Sequence, residues 1–537
     1  VKSEALYKLK VAGTLASTGM FKPVRPDKTL RSLGALRKWG PTPAAAYTGS
    51  AIRYPDRLAL VDERGALTFR EVDKRTNVMA RALRSAGIRA GDSVAIMCRN
   101  HRGFIEATVA CSKLGASVLY LNTAFAGPQI TDVLKREAPA GLIYDEEFCG
   151  LVSEGGEGRK RFVAWCDPGK RCEDPLLEDA LRAGGDDSPL QPPEEPGRVV
   201  ILTSGTTGTP KGAARKQPDS MGPAASLFSK IPLRARETTM IAAPLFHSWG
   251  FAHFTMSLPL ASTLVLRRRF DAEDTLKAVS QHRASALAVV PVMLQRILDL
   301  PPETIAAYDL NALKIVAVSG SALPGELAVR AMNVLGDVLY NLYGSTEVAW
   351  ATIATPEDLR AAPGTAGKPP LGTVVKLLDE QGREVPKGAS GRIFVANELM
   401  FEGYTGGGGK EVVEGLMSTG DVGHFDTGGR LFVDGRDDEM IVSGGENVFP
   451  REVEDLLADH KEIEEAAVVG VKDSEFGQRL KAFVVTRNGS QLSEDAVKGY
   501  VKENLARYKV PREVVFLQEL PRNSTGKVLK RELVAQD

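Results

Sequence analysis

Short apolar runs separated by helical patterns recur along most of this chain, and that alternation restricts it to sheets with helices on their faces. Leu58-Ala59-Leu60-Val61 reads as a strand, and Thr68-Phe69 opens a helical pattern that continues to Leu83. Gly91-Asp92 makes a turn before Ser93-Val94-Ala95-Ile96-Met97, and a helix over 104–114 leads to a further apolar run over 116–121. Apolar runs bounded by turns and alternating with helices predict βαβ units and a parallel sheet. A second series of this kind runs over 239–338, with strands at 286–290 and 315–318. Over 374–433 the pattern changes to short strands with frequent glycine, which predicts a smaller β-rich unit. The tail from about residue 437 mixes strands (466–471, 482–486) with helices (451–460, 494–504).

The expected fold is therefore α/β: a large N-terminal body of doubly wound sheets with a small β-rich unit, followed by a small α+β C-terminal domain. The divisions expected are a basic leader over 1–45, a body over 46–436 with sub-units at about 46–190, 196–345 and 346–436, and a small domain over 437–537. A stretch rich in Gly, Asp, Pro and Glu over 184–198 reads as a linker. At 537 residues the chain is too long for one ordinary core.

Composition excludes several classes. Lys plus Arg and Asp plus Glu both number 68, so a nucleic acid is not the main partner. Five cysteines without a CxxC pair fit a reducing cytoplasm and argue against a disulfide framework or a zinc site. No apolar run is long enough to span a bilayer. The first forty residues depart from neutrality, with nine Lys/Arg against Glu4 and Asp27, and Leu6-Tyr7 and Leu9 set among lysines. They read either as a basic contact with a membrane surface or partner, or as a leader folded over the body; composition favours the second.

The run Thr203-Ser204-Gly205-Thr206-Thr207-Gly208-Thr209-Pro210-Lys211 follows the apolar segment Val199-Val200-Ile201-Leu202. Glycines let backbone N–H groups approach an anion, and hydroxyls and a lysine add donors. That is the chemistry of a phosphate-holding loop. It is not a Walker A loop, because Pro210 precedes Lys211 and Gly212 follows it. Alone, the run is equally a flexible Gly/Thr/Ser loop.

Other segments stand beside it in chain order: Pro244-Leu245-Phe246-His247, Tyr343-Gly344-Ser345-Thr346-Glu347, Ser418-Thr419-Gly420-Asp421, Gly435-Arg436-Asp437-Asp438, Ser443-Gly444-Gly445-Glu446-Asn447 and Pro521-Arg522-Asn523-Ser524-Thr525-Gly526-Lys527. This set and order resemble the adenylate-forming superfamily of acyl-CoA synthetases, luciferases and peptide-synthetase adenylation domains, over nearly the whole chain from about Tyr54. Within it the chain looks most like the bacterial fatty-acid–CoA ligases. The resemblance implies an AMP-forming acid–thiol ligase using ATP, Mg²⁺ and coenzyme A.

The resemblance also implies roles. Residues 203–211 would hold the β- and γ-phosphates, Thr346 would donate to the α-phosphate, and Glu347 would bind Mg²⁺, a hard cation that prefers oxygen. Asp421 and Arg436 would hold the ribose. Tyr343 and the backbone at Gly320, Ser321 and Ala322 would enclose adenine, and Asn341 would meet its amino group. Lys527 would bridge the substrate carboxylate and the α-phosphate, where charge builds during adenylation. Asp438 would be the hinge on which the small domain turns, presenting Ser443, Gly444, Gly445 and Glu446 to a thiol channel. Phe476 would be a platform for the CoA adenine, unless it is a core aromatic.

For the acyl group, Gly344 stands where acetate-activating relatives carry a tryptophan, and so implies room for a larger acid. Residues 243–251 contain no carboxylate for a substrate amine, so an apolar acid is expected over an amino acid. His247 would lie at the gate between acyl pocket and thiol channel, with Trp249, Phe251 and Trp350 lining the pocket or packing in the core. A medium- to long-chain fatty acid is the expected substrate. The alternatives are an aromatic acid, a fatty-acyl-AMP ligase loading a carrier protein, and a sensor without chemistry. No inserted segment is evident between Gly391 and Gly435, and the motif residues are intact, which weighs against the last two.

Overall fold

The computed structural model describes residues 2–203, 211–214, 220–405, 407–437, 441–443, 446–473, 477–487, 490, 492–523 and 526–534, and omits the side chains of 2–3, 203, 211, 214, 442–443, 446–447 and 477. Four sheets carry the architecture. The first orders Gly403–Tyr404, Lys211–Ala214, Val199–Thr203, Ser117–Tyr120, Ser93–Met97, Gly141–Asp145 and Lys160–Trp165 side by side. The second orders Thr352–Ala354, Leu339–Tyr343, Ile315–Val318, Ala286–Val289, Thr238–Ile241, Thr263–Leu266, Leu58–Asp62 and Gly65–Thr68. Most of their pairings are parallel, and the central strands are buried on both faces by helices. That double coverage is why they read as unbroken apolar runs.

Local sequence chemistry sets the element ends. Thr68 begins the helix Phe69–Ser85 with a reciprocal cap: its Oγ1 accepts the Glu71 N–H, and the Glu71 carboxylate accepts the Thr68 N–H at 2.7 Å. Gly115 ends the helix Arg102–Leu114 with φ of 76°, a left-handed conformation that glycine adopts without strain.

The sheets depart from the expected sub-units at 46–190 and 196–345. The hairpin Leu58–Thr68 belongs to the second sheet, where Leu60 pairs with Leu264. Strands Val199–Thr203 and Lys211–Ala214 belong to the first, where Val118 pairs with Val199. A parallel strand takes its neighbours by burial rather than by chain order, so a linear division cannot follow the exchange.

The β-rich unit is a five-stranded sheet of Val374–Leu378, Gly391–Ala396, Val412–Val413, Leu416–Phe425 and Leu431–Arg436. The C-terminal unit sets Ile463–Asp473 antiparallel to Gly477–Thr486, with the helices Pro450–Ala458 and Glu494–Asn504. The leader forms the helices Lys2–Ser17 and Pro26–Trp39 and packs on the body. Leu15 and Met20 are buried among residues that include Leu227 and Trp249, Ala35 and Trp39 among Ala44 and Ala45. Tyr7 donates a hydrogen bond to Glu398 at 2.7 Å. Among the described residues no helix is long and apolar enough to cross a membrane.

Candidate active site

A cavity of about 510 Å³ opens at the carboxyl ends of the parallel strands of the second sheet. The segments leaving Thr238–Ile241, Ile315–Val318 and Leu339–Tyr343 all contribute to its lining. This is where open α/β sheets hold ligands, because strand ends and following loops converge there. The edge strand of the first sheet adds Tyr404; the β-rich unit adds Asp421 and Arg436, with Lys410 just before its strand Val412–Val413; the C-terminal unit adds Glu454, Asn523, Lys527 and Lys530.

Asp421 and Arg436 face each other because they are register partners on the antiparallel strands Leu416–Phe425 and Leu431–Arg436. Arg436 Nη1 lies 3.5 Å from Asp421 Oδ1, and the Tyr343 hydroxyl donates to Asp421 Oδ2 at 2.6 Å. Burial pushes the Asp421 carboxyl above its ordinary range, while the Tyr343 hydrogen bond and the charges of Arg436, Lys527 and Lys410 pull it down. Burial, with Asp421 beside it, pushes the Tyr343 phenol well up. The buried Asn341 donates from its amide to the Thr365 carbonyl at 3.5 Å. Gly320, at φ of 100°, turns the chain so that Ser321 and Ala322 line the wall.

The Ser345 Oγ accepts the N–H groups of Glu347 and Val348, which fixes the turn carrying Thr346 and Glu347. Thr346 Oγ1 lies 3.0 Å from Ser248 Oγ, and Glu347 Oε1 accepts from the Tyr404 hydroxyl at 2.8 Å. A carboxylate beside hydroxyls is a hard-oxygen set that fits Mg²⁺. Lys410, Arg436 and Lys527 supply the positive charge that a polyphosphate needs, and the cavity is of nucleotide size.

Lys527 sits on a tight turn. Gly526 has φ of 80°, the Lys527 N–H donates to Asn523 Oδ1 at 2.9 Å, and a Cβ on Gly526 would lie 2.5 Å from Val292 on the body. Only glycine lets the turn come this close. The C-terminal unit is thus docked with Lys527 in the cavity that holds Asp421, Thr346 and Glu347.

On the acyl side, His247, Trp249 and Trp350 line the cavity. Both indoles are tethered: Trp249 Nε1 donates to the Val289 carbonyl at 2.9 Å and Trp350 Nε1 to Ser226 Oγ at 3.1 Å. Burial lowers the His247 imidazole to about 4, so it is neutral at physiological pH. Two expectations need correction. Phe251 is not part of this lining; its ring packs on Tyr120 at 5.1 Å and Phe254 at 5.8 Å in the N-terminal core. At 100° per residue it points away from Trp249, two residues before it on the same helix. Gly344 lines the cavity, but a Cβ there would lie 2.2 Å from the Ala349 carbonyl oxygen and 2.7 Å from Trp350 Cα. Its missing side chain admits the backbone of 349–350, not a larger acyl group.

Sequence reasoning missed Lys410, Tyr404, Ser248 and His253. Lys410 directly follows the glycine run at 406–409, a flexible loop by composition. His253, one turn after Trp249, is fully buried with its ring 4.5 Å from the indole, and neither ring nitrogen has a hydrogen-bond partner among the described residues. Ser204, Gly205, Thr206, Thr207, Gly208, Thr209, Asp438, Gly444, Gly445 and Phe476 lie outside the described residues, as do the side chains of Thr203, Lys211, Ser443 and Glu446.

The family model described as AMP-binding enzyme matches residues 48–405, and that of the AMP-binding enzyme C-terminal domain matches 452–527. The chain is 33% identical over 515 residues to an indoleacetate–CoA ligase of Aromatoleum aromaticum, covering 93% of this chain and 98% of that protein. It is 33% identical over 473 residues to a feruloyl-CoA synthase of Amycolatopsis sp., covering 87% and 93%. The o-succinylbenzoate CoA synthetase of Bacillus subtilis, in complex with its acyl-adenylate intermediate, superimposes with a TM-score of 0.80 at 26% identity, covering 91% and 97%. The first family model covers more than half of the chain, and the chain belongs to the AMP-binding, adenylate-forming enzymes, acid–thiol ligases that use ATP, Mg²⁺ and coenzyme A.

Proposed function

We propose that this ligase activates an aromatic or arylalkyl carboxylic acid, in place of the medium- to long-chain fatty acid that the acyl-side sequence suggested. The observation that carries this reading is the pair of tethered indoles, Trp249 and Trp350, on the cavity wall. Indoles held by their N–H groups are flat, fixed surfaces suited to a planar ring. The relatives that act on indoleacetate, ferulate and o-succinylbenzoate support the same choice.

In the first half-reaction the substrate carboxylate attacks the α-phosphorus of ATP, giving acyl-adenylate and pyrophosphate. Lys527 offsets the charge that builds between carboxylate and α-phosphate, and Thr346 donates to the same phosphate. Asp421 and Arg436 orient the ribose, Tyr343 and Asn341 the adenine, and the 203–211 loop the outgoing pyrophosphate. Mg²⁺ held by Glu347 would supply further positive charge to the polyphosphate. In the second half-reaction the CoA thiol attacks the acyl carbon and AMP leaves. Rotation at Asp438 would withdraw Lys527 and bring the 443–446 segment to a thiol channel past the neutral His247.

The test is ATP–pyrophosphate exchange with indole-3-acetate, ferulate, octanoate and palmitate, each followed by CoA-dependent AMP release. Ring acids should drive both. Turnover confined to the fatty acids would overturn the substrate reading. Exchange without CoA-dependent release would point to a carrier-protein acceptor, and no exchange with any acid to a sensor.

A further inference from the structure

Among the described residues thirteen large apolar side chains are exposed, and six of them fall within residues 6–36: Leu6, Leu9, Phe21, Leu30, Leu33 and Leu36. Three stand on the helix Pro26–Trp39, with Leu30 71% exposed, Leu33 57% and Leu36 50%. That helix buries Ala35 and Trp39 against the body. At 100° per residue, Leu30, Leu33 and Arg37 lie on the opposite, outward side. An apolar stripe that faces solvent while its helix is already anchored is not needed for folding.

Charge says what covers it. Residues 22–38 carry Lys22, Arg25, Lys28, Arg31, Arg37 and Lys38 against Asp27 alone, and Arg25 lies 3.1 Å from that aspartate. The whole chain is neutral, so the rest of it carries a compensating acidic surplus. Leucines flanked by lysine and arginine match an interface that is apolar inside and anionic outside. A second copy of the chain would bring the same basic residues face to face, which opposes a symmetric pairing through this surface.

We infer that the outward face of the helix Pro26–Trp39 docks on an anionic lipid surface. The contact is peripheral: the leucines enter the headgroup boundary and Arg31, Arg37 and Lys38 meet lipid phosphates or carboxylates, while Lys28 turns to the body and donates to the Arg53 carbonyl at 3.5 Å. The inference stands independently of the substrate reading.

The experiment is co-sedimentation of the full chain with vesicles of phosphatidylcholine mixed with phosphatidylserine, against phosphatidylcholine alone, at low and high salt. The protein should partition onto the mixed vesicles and be released by salt. The variant Leu30→Ser/Leu33→Ser/Leu36→Ser should partition about tenfold or more weakly. The variant Arg31→Glu/Arg37→Glu/Lys38→Glu, which leaves the leucines in place, should lose the preference for anionic vesicles by about tenfold or more. Absence of partitioning, or partitioning that neither variant weakens, would overturn the inference. So would a concentration-dependent dimer dispersed by the leucine variant, which would assign the face to a second copy.

Discussion

His253 makes a quantitative prediction, because its environment is simple. The imidazole is fully buried, both ring nitrogens lack partners among the described residues, and burial lowers it from 6.5 to about 3. As the pH falls below 6.5 the unfolded chain takes up this proton while the folded chain does not. The stability tied to His253 is therefore complete above 6.5 and is lost progressively toward 3. Between pH 7 and pH 5 the loss is about 2 kcal/mol, from 1.36 kcal/mol per pH unit below the unfolded value. His253→Leu replaces the ring with an apolar side chain of similar size. It removes two unpaired buried nitrogens, which should add about 1 kcal/mol at pH 7. The advantage should then grow by about 2 kcal/mol at pH 5. Urea unfolding of wild type and variant at the two pH values, followed by tryptophan fluorescence, measures both; Trp249 touches His253 and reports locally. Parallel loss of stability in the two proteins would mean that the imidazole has a partner in solution, and the argument from burial would fail.

Three further predictions concern the site. Lys527→Ala should slow adenylation by about 10²–10³ in single-turnover assays, while preformed acyl-adenylate still reacts with CoA; equal loss of both half-reactions would contradict the domain-alternation scheme. Asp421→Ala should lower kcat/KM for ATP by roughly 10- to 100-fold through lost ribose contacts, and should change kcat/KM for the acid far less when ATP is saturating. Gly344→Ala should cost at least about 1–3 kcal/mol of stability in urea unfolding, because its Cβ meets backbone; a folded variant with only a shortened substrate range would restore the pocket-closing reading.

The legible parts of this protein were those carried by short stretches of chain. The helix start at Thr68–Phe69, the apolar parallel strands and the alternation of the C-terminal unit follow from residues within a few positions of one another. The exchange of strands between the two large sheets does not, because Leu60 meets Leu264 only through tertiary burial. Gly344 was misread for the same reason: the backbone it admits, at Ala349 and Trp350, returns by a fold that spacing does not reveal. Phe251 was within reach. Helical spacing puts Trp249, Ala252 and His253 on one face and Phe251, Phe254 and Leu258 on the other, so alternate residues of one helix could not all line one cavity. Lys410 was hidden by its setting, since a lysine after four glycines has the signature of a mobile loop until Asp421 is seen beside it.

Acid-stimulated ATP–pyrophosphate exchange, coupled to CoA-dependent release of AMP, tests the central claim most directly. Indole-3-acetate or ferulate should drive both reactions, and Lys527→Ala should slow the exchange by about 10²–10³. Exchange supported only by fatty acids, or exchange at an undiminished rate in Lys527→Ala, would contradict the account.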